Sequence, residues 1–124
     1  MSNDPGDPIC VVDDDPSVRK AVSRLLASEG WEVRSFESGE KFLAYVGEHS
    51  APLVILDLWM PGVNGLEVQA LLNELSPRSR VIIMTARDDK SFHSAAMKGG
   101  ASDFFLKPFD DGQLLRAVQR ALDI

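Results

Sequence analysis

The chain of 124 residues holds one cysteine, one tyrosine and two histidines. A single thiol, Cys10, leaves no internal disulfide framework and suits a reducing compartment. His49 and His93 stand far apart, and neither has a Cys or His neighbour at ligand spacing, which argues against zinc. Unbroken apolar runs are only a few residues long, so no segment is of membrane-spanning length. The opening MSNDPGDP lacks the basic start and apolar stretch of a secretory signal. Residues 1–8 read instead as a disordered lead-in. Positive charge is scarce as well: thirteen Lys and Arg face nineteen Asp and Glu, a net charge of −6. That excludes the basic footprint of a nucleic-acid-binding domain. The expectation is one cytoplasmic domain over residues 9–124 that binds neither nucleic acid nor membrane.

What is present is ordinary for a globular domain, with 44% apolar and 26% charged residues. Short apolar runs alternate with helical patterns. The runs are Ile9–Val12, Trp31–Phe36, Leu53–Leu56, Val81–Met84 and Asp103–Leu106, each of strand length. Asp15-Pro16 opens the first helix with a cap and a proline at its first position, and Val18, Ala21, Val22, Leu25 and Leu26 share its inner face up to Gly30. A second helix covers Gly39 to Val46, with Phe42, Tyr45 and Val46 inward. Asn64 and Glu67 form a capping-box pattern before a stripe of Val68, Leu71, Leu72 and Leu75, which Pro77 stops. A fourth helix runs from Asp89 to Lys98 with a stripe of Phe92, Ala95 and Ala96. Asp110 and Gln113 open the last, where Leu114, Leu115, Val118, Ala121 and Leu122 face inward.

Strands separated by single helices run parallel, and continuous apolar runs mean cover on both faces. The second run alternates Glu32 and Arg34 with Val33, which suits a sheet edge. The predicted architecture is a five-stranded parallel doubly wound α/β sheet, order 2-1-3-4-5, with five helices.

The residues that follow the strands share one carboxyl-terminal edge: Asp13, Asp14 and Asp15 after the first, Asp57 after the third, Thr85 after the fourth, Lys107-Pro108 after the fifth. The first and third strands flank the switch point where such sheets bind ligands. Asp13, Asp14 and Asp57 should therefore converge, with Thr85 and Lys107 beside them. Crowded carboxylates repel, and a hard divalent cation offsets that repulsion; Mg²⁺ typically takes one or two carboxylates plus a phosphate. Lys107 can pair with an anion and Thr85 can donate to a phosphoryl oxygen. Such groups stabilise phosphoryl transfer, for which a carboxylate can be the nucleophile. Asp15 reads as a helix cap, Asp88 and Asp89 as solvated cap residues, Cys10 as a small core residue and Trp31 as cover for the sheet edge.

From Ile9 to Leu122 the chain resembles the receiver domain of two-component response regulators, the CheY-like fold. The resemblance rests on VVDDD, ILDLWMPGVNG, MTA and FFLKPF in order and spacing. VDDDPSVR, SFESGEKFL and GASDFFLKPF look most like FixJ-type regulators. The resemblance implies that Asp57 is the phosphoacceptor, loaded from the phosphohistidine of a sensor histidine kinase. It implies Mg²⁺, or Mn²⁺, held by Asp13, Asp14, Asp57 and the Trp59 carbonyl, with Asp14 the more direct ligand of the first two. Thr85 would bind the phosphoryl oxygen and change position with it, Lys107 would pair with the phosphoryl group, and Phe104 would be the aromatic switch residue. The Lys107–Pro108 bond is expected to be cis. Output would come through the fourth helix and fifth strand, by a phosphorylation-dependent homodimer, and reach transcription through a DNA-binding domain outside these residues. Such a domain would be no enzyme beyond its own phosphorylation and dephosphorylation.

Other functions fit less well. An aspartyl phosphatase would need an acid–base residue where Trp59 stands. A flavin-binding module would need a Ser, Thr and Gly-rich loop where DDDPS stands. The intact Asp57, Thr85 and Lys107 set disfavours a degenerate receiver, while a stand-alone phosphorelay shuttle is the alternative output. Trp59 should lie over the mouth of the site with Arg87 stacked on its indole, either excluding water or serving a kinase interface.

Overall fold

The structure, a computed structural model, describes residues 7–122. Ten elements alternate: β1 (Ile9–Val12), α1 (Pro16–Ser28), β2 (Val33–Phe36), α2 (Gly39–Val46), β3 (Leu53–Asp57), α3 (Gly65–Leu75), β4 (Arg80–Thr85), α4 (Lys90–Lys98), β5 (Asp103–Leu106) and α5 (Asp111–Ala121). All strand pairs are parallel and the order is β2-β1-β3-β4-β5, as the alternation of patterns predicts. Residues 1–6 of the expected lead-in lie outside the described residues. Its last two, Asp7 and Pro8, are half-buried against the start of β1.

Side chains of a strand point alternately to the two faces. Cys10, Val12, Val54, Leu56, Val81 and Ile83 meet Phe42 and Val46 of α2, Val68 and Leu72 of α3 and Ala96 of α4. Ile9, Val11, Leu53, Ile55, Ile82 and Met84 meet Val22 and Leu26 of α1 and Leu114, Ala117 and Val118 of α5. The central strands are thus covered on both sides, which is why they read as unbroken apolar runs. Cys10 is fully buried, and burial pushes its thiol up to about 12, leaving it a core residue without thiolate chemistry at neutral pH.

The helix starts follow the chemistry read from the sequence. Asp15 Oδ1 accepts from the Ser17 amide at 2.9 Å, Asp89 Oδ1 from Ser91 at 2.9 Å and Asp110 Oδ2 from Gln113 at 2.9 Å. Asn64 and Glu67 bond reciprocally as a capping box, at 3.0 and 3.3 Å. Each cap contributes about 1 kcal/mol and fixes where the loop before it ends.

Several expectations shift. The second strand begins two residues later than its apolar run, and Trp31 packs against the core cluster on the α1–α5 side. On α3 the buried face is Gly65, Val68, Gln69 and Leu72, while Leu71 and Leu75 are 43% and 53% exposed. The helix is turned by about one residue from the leucine stripe. A polar residue can occupy the inner face because Gln69 finds a buried partner, the Ala96 carbonyl, at 2.9 Å. On α4 Ala96 is buried and Ala95 exposed; on α1 Ala21 is exposed; on α5 the buried set gains Ala117.

Candidate functional site

The C-terminal strand ends bring the expected residues to one edge. Asp57 is the last residue of β3, inside the strand rather than just beyond it, and Thr85 is the last residue of β4. Asp13 follows β1 directly, and its amide donates to the Phe36 carbonyl at 3.1 Å. Lys107 follows β5, with its amide donating to the Thr85 carbonyl at 2.7 Å, and the Lys107–Pro108 bond is cis as expected.

Ligand oxygens of Asp13, Asp14 and Asp57 all lie within 4.8 Å of one another. Asp13 is fully buried and Asp57 is 4% exposed, whereas Asp14 is exposed. The Asp13 carboxylate is heavily engaged. Its Oδ1 accepts from the Asp15 amide at 2.9 Å and its Oδ2 from Lys107 Nζ at 2.7 Å, while its carbonyl accepts from Arg19 Nη1 at 2.7 Å. Lys107 Nζ is 3.6 Å from Asp57 Oδ1, so the lysine sits between both carboxylates but closer to Asp13.

Asp57 is left under-compensated. Burial, then the neighbouring Asp13 charge, push its carboxyl up to about 7, against the opposing pull of Lys107 and of the Trp59 amide, which donates to Oδ1 at 3.4 Å. A cluster of hard oxygen donors with surplus negative charge fits a divalent cation of the Mg²⁺ type, with the exposed Asp14 the more open ligand beside the engaged Asp13. Thr85 is fully buried, and its Oγ1 accepts from the Arg87 amide at 3.1 Å, which uses a lone pair of the hydroxyl and not its hydrogen.

The loop after Asp57 turns tightly. Gly62 has φ +79°, a conformation costly for other residues. Gly65 starts α3 against the strand it came from. Its amide donates to the Leu58 carbonyl at 2.9 Å, and a Cβ there would fall 2.6 Å from the Asp57 carbonyl oxygen. This glycine lets α3 begin directly behind Asp57.

Trp59 is half-buried, with the Arg87 guanidinium 4.4 Å from its ring centroid, the stacking expected of the pair. The sequence reading missed the third member, Phe92, which meets the indole edge-on at 4.4 Å; its helical spacing marked it as plain core. The indole Nε1 is buried and, among the described residues, has no hydrogen-bond partner. Phe104 is half-buried and stacks on His93 at 4.3 Å. Neither that contact nor the Arg19 bond to Asp13 carries a local sequence signal, since each joins residues on different elements or turns. Asp15, Asp88 and Asp89 take no part in the cluster; Asp15 and Asp89 are helix caps.

A five-stranded parallel sheet with an acid triad, a lysine and a hydroxyl at its switch point defines a class, and comparison with known proteins gives its family. Residues 9–119 match the family described as the response regulator receiver domain, and the chain belongs to it. Among curated relatives, the response regulator protein TmoT of Ectopseudomonas mendocina is 40% identical over 122 residues, covering 98% of this chain and 56% of its own. The transcriptional regulatory protein FixJ of Azorhizobium caulinodans is 38% identical over 115 residues, covering 93% and 54%. The chain therefore spans about half the length of the curated relatives it matches. Among solved structures, the BeF3-activated receiver domain of DrrB, from Thermotoga maritima, superposes with a TM-score of 0.87 at 35% identity, covering 95% of this chain and 98% of that one. A transcriptional regulatory protein stands among the relatives. No helix among the described residues is long and apolar enough to cross a membrane.

Proposed function

We propose that Asp57 accepts a phosphoryl group from the phosphohistidine of a sensor histidine kinase, and that the domain, residues 9–124, relays this as a change of surface. The observation that carries the reading is the convergence of three carboxylates and Lys107 around one buried strand end. Asp57 Oδ attacks phosphorus, the N–P bond breaks with its electron pair passing to the ring nitrogen, and the imidazole, protonated on its other nitrogen, leaves neutral as the aspartyl phosphate forms. Asp13, Asp14, Asp57 and the Trp59 carbonyl would hold Mg²⁺ or Mn²⁺. The bound cation supplies Lewis-acid charge compensation at the phosphoryl oxygens.

The remaining steps belong to the chain's own groups. Asp57 must be ionised to attack, so a carboxyl held up to about 7 gains reactivity from any positive charge brought beside it. Lys107 is placed to pair with a phosphoryl oxygen on Asp57, and the Thr85 hydroxyl to donate to another. Drawing Thr85 toward that oxygen would open space for Phe104 to turn inward, reshaping α4 and β5. The exposed Met97 on α4 and Leu106 on β5 support that surface as the contact of a phosphorylation-dependent homodimer. The relatives FixJ, a transcriptional regulatory protein, and NtrC of Salmonella typhimurium, a DNA-binding transcriptional regulator, support a transcriptional output delivered by a DNA-binding domain outside these residues. Trp59 and Arg87 would act at the mouth of the site, limiting the approach of water to the acyl phosphate.

Intact-mass measurement with acetyl phosphate and Mg²⁺ tests the assignment. An adduct of one phosphoryl group is expected on the wild type. An adduct that persists in Asp57→Asn, or forms equally well in excess chelator, overturns it.

A further inference from the structure

The two ends of α4 are held by different kinds of contact. At its C-terminal end, Gln69 Nε2 of α3 donates to the Ala96 carbonyl at 2.9 Å, and one turn on Asn73 Nδ2 donates to the Gly99 carbonyl at 2.9 Å. Gln69 is only 2% exposed and Ala96 is fully buried. Gly99 has an ordinary helical φ of −75°, so its backbone does not call for glycine. A Cβ there would instead lie 2.9 Å from Gln69 Oε1 and 3.1 Å from its Nε2. The glycine makes room for the amide, and the positive-φ turn that follows falls on Gly100, at +100°.

The N-terminal half is held by rings. Phe92 meets Trp59 edge-on and His93 stacks on Phe104, while Lys90, Ser91, Ser94 and Ala95 are exposed. A buried hydrogen bond to a carbonyl is directional and costly to break without a replacement. Ring contacts rest on many weak atom pairs and can slide. Both rings that α4 leans on also belong to the site's own segments: Trp59 lies two residues after Asp57, and Phe104 three before Lys107.

We infer that α4 is a hinged helix whose C-terminal turn is pinned to α3 by Gln69 and Asn73, while its N-terminal half, resting on Trp59 and Phe104, is the part that moves. The direction of the signal rests on the proposed phosphorylation of Asp57; the pin does not. Gln69 and Asn73 are positioning residues, 12 and 16 positions beyond the acceptor and outside its chemistry.

Amide hydrogen exchange on the full chain tests both halves of the idea. In the free protein, Gln69→Leu should speed exchange of the Gly99 and Ala101 amides about tenfold while the β3 and β4 amides keep their wild-type rates. Asn73→Ala changes an exposed residue and so keeps the fold; it should speed the same amides by a smaller factor. On adding Mg²⁺ and beryllium trifluoride to the wild type, exchange should change more at Phe92, His93 and Ser94 than at Gly99 and Ala101. Equal change at both ends overturns the hinge, and so do wild-type rates at Gly99 and Ala101 in both variants. Intact mass with phosphoramidate keeps this apart from the proposed function. A phosphoryl adduct on Asp57 with an unaltered α4 refutes the hinge alone, whereas no adduct with faster exchange in the variants refutes the phosphorylation and leaves the pin established.

Discussion

Replacing Asp57 by Asn keeps the shape of the side chain and removes its titration. In the folded chain the Asp57 carboxyl is pushed from an ordinary 3.8 to about 7, first by burial and then by Asp13. Between these two values the folded protein holds a proton that the unfolded chain has released. Stability from this group is therefore full at acid pH, falls as pH rises from about 4, and is lost once pH passes about 7. At about 1.4 kcal/mol per pH unit, the complete loss is about 4 kcal/mol. Asp57→Asn should escape it. Urea denaturation of both proteins in excess chelator, at pH 4.5 and pH 8.5, reads the effect of Asp57 together with the Asp13 charge that faces it, while carboxylates remote from the site cancel in the difference between the curves. The variant should gain about 3 kcal/mol on the wild type between those pH values, on the order of 10 °C in Tm for a domain of this size. Adding Mg²⁺ at pH 8.5 should recover much of the wild-type deficit and little in the variant, since binding to the folded state alone stabilises it. Parallel stability curves for the two proteins would refute the electrostatic account of the site.

Two further outcomes follow from the loops around Asp57. Gly65→Ala should destabilise the fold by about 1–3 kcal/mol in denaturant titration, because its Cβ would meet the Asp57 carbonyl oxygen at 2.6 Å, a backbone atom that cannot step aside; a change below about 0.5 kcal/mol would show that the α3 start can shift freely. Trp59→Asn should shorten the lifetime of the phosphorylated protein about tenfold in Mg²⁺ while leaving the mass of the adduct unchanged, as the indole and the stacked Arg87 no longer cover the approach of water; an unchanged or longer lifetime would favour a role for Trp59 in kinase contact.

The sheet and the polar edge were legible because each has a local cause. Apolar runs of four or five residues record burial on both faces, and Asp15, Asn64, Asp89 and Asp110 each announce a helix start through a bond to an amide two or three residues on. Parallel topology then carries Asp13, Asp57, Thr85 and Lys107 to one edge with no knowledge of side-chain positions. What stayed hidden depends on partners distant in sequence. Gln69 reads as surface until the Ala96 carbonyl, 27 residues away, satisfies it. Leu71 and Leu75 read as core because apolar residues at helical spacing mark an inward face, yet α3 turns the neighbouring face toward the sheet. Gly99 ends α4 as its sequence suggests, and its lack of a side chain also leaves space for the Gln69 amide, which the sequence does not show.

The position of Lys107 bears on how the site is poised. One lysine serves two buried carboxylates and lies nearer to Asp13, at 2.7 Å, than to Asp57, at 3.6 Å. Asp13 is thereby ion-paired and orientated, while burial and then the charge of Asp13 hold the Asp57 proton up to about 7 against the weaker pull of the more distant lysine. The backbone of Lys107 is fixed by its bond to the Thr85 carbonyl, but four methylene groups separate that anchor from the ammonium. The ammonium can therefore exchange Asp13 for an oxygen on Asp57 by rotating its own side chain. In the proposed phosphorylation, a phosphoryl group there would bring the negative charge that favours the exchange. Asp13, with its other oxygen already on the Asp15 amide, would keep a partner when the lysine leaves.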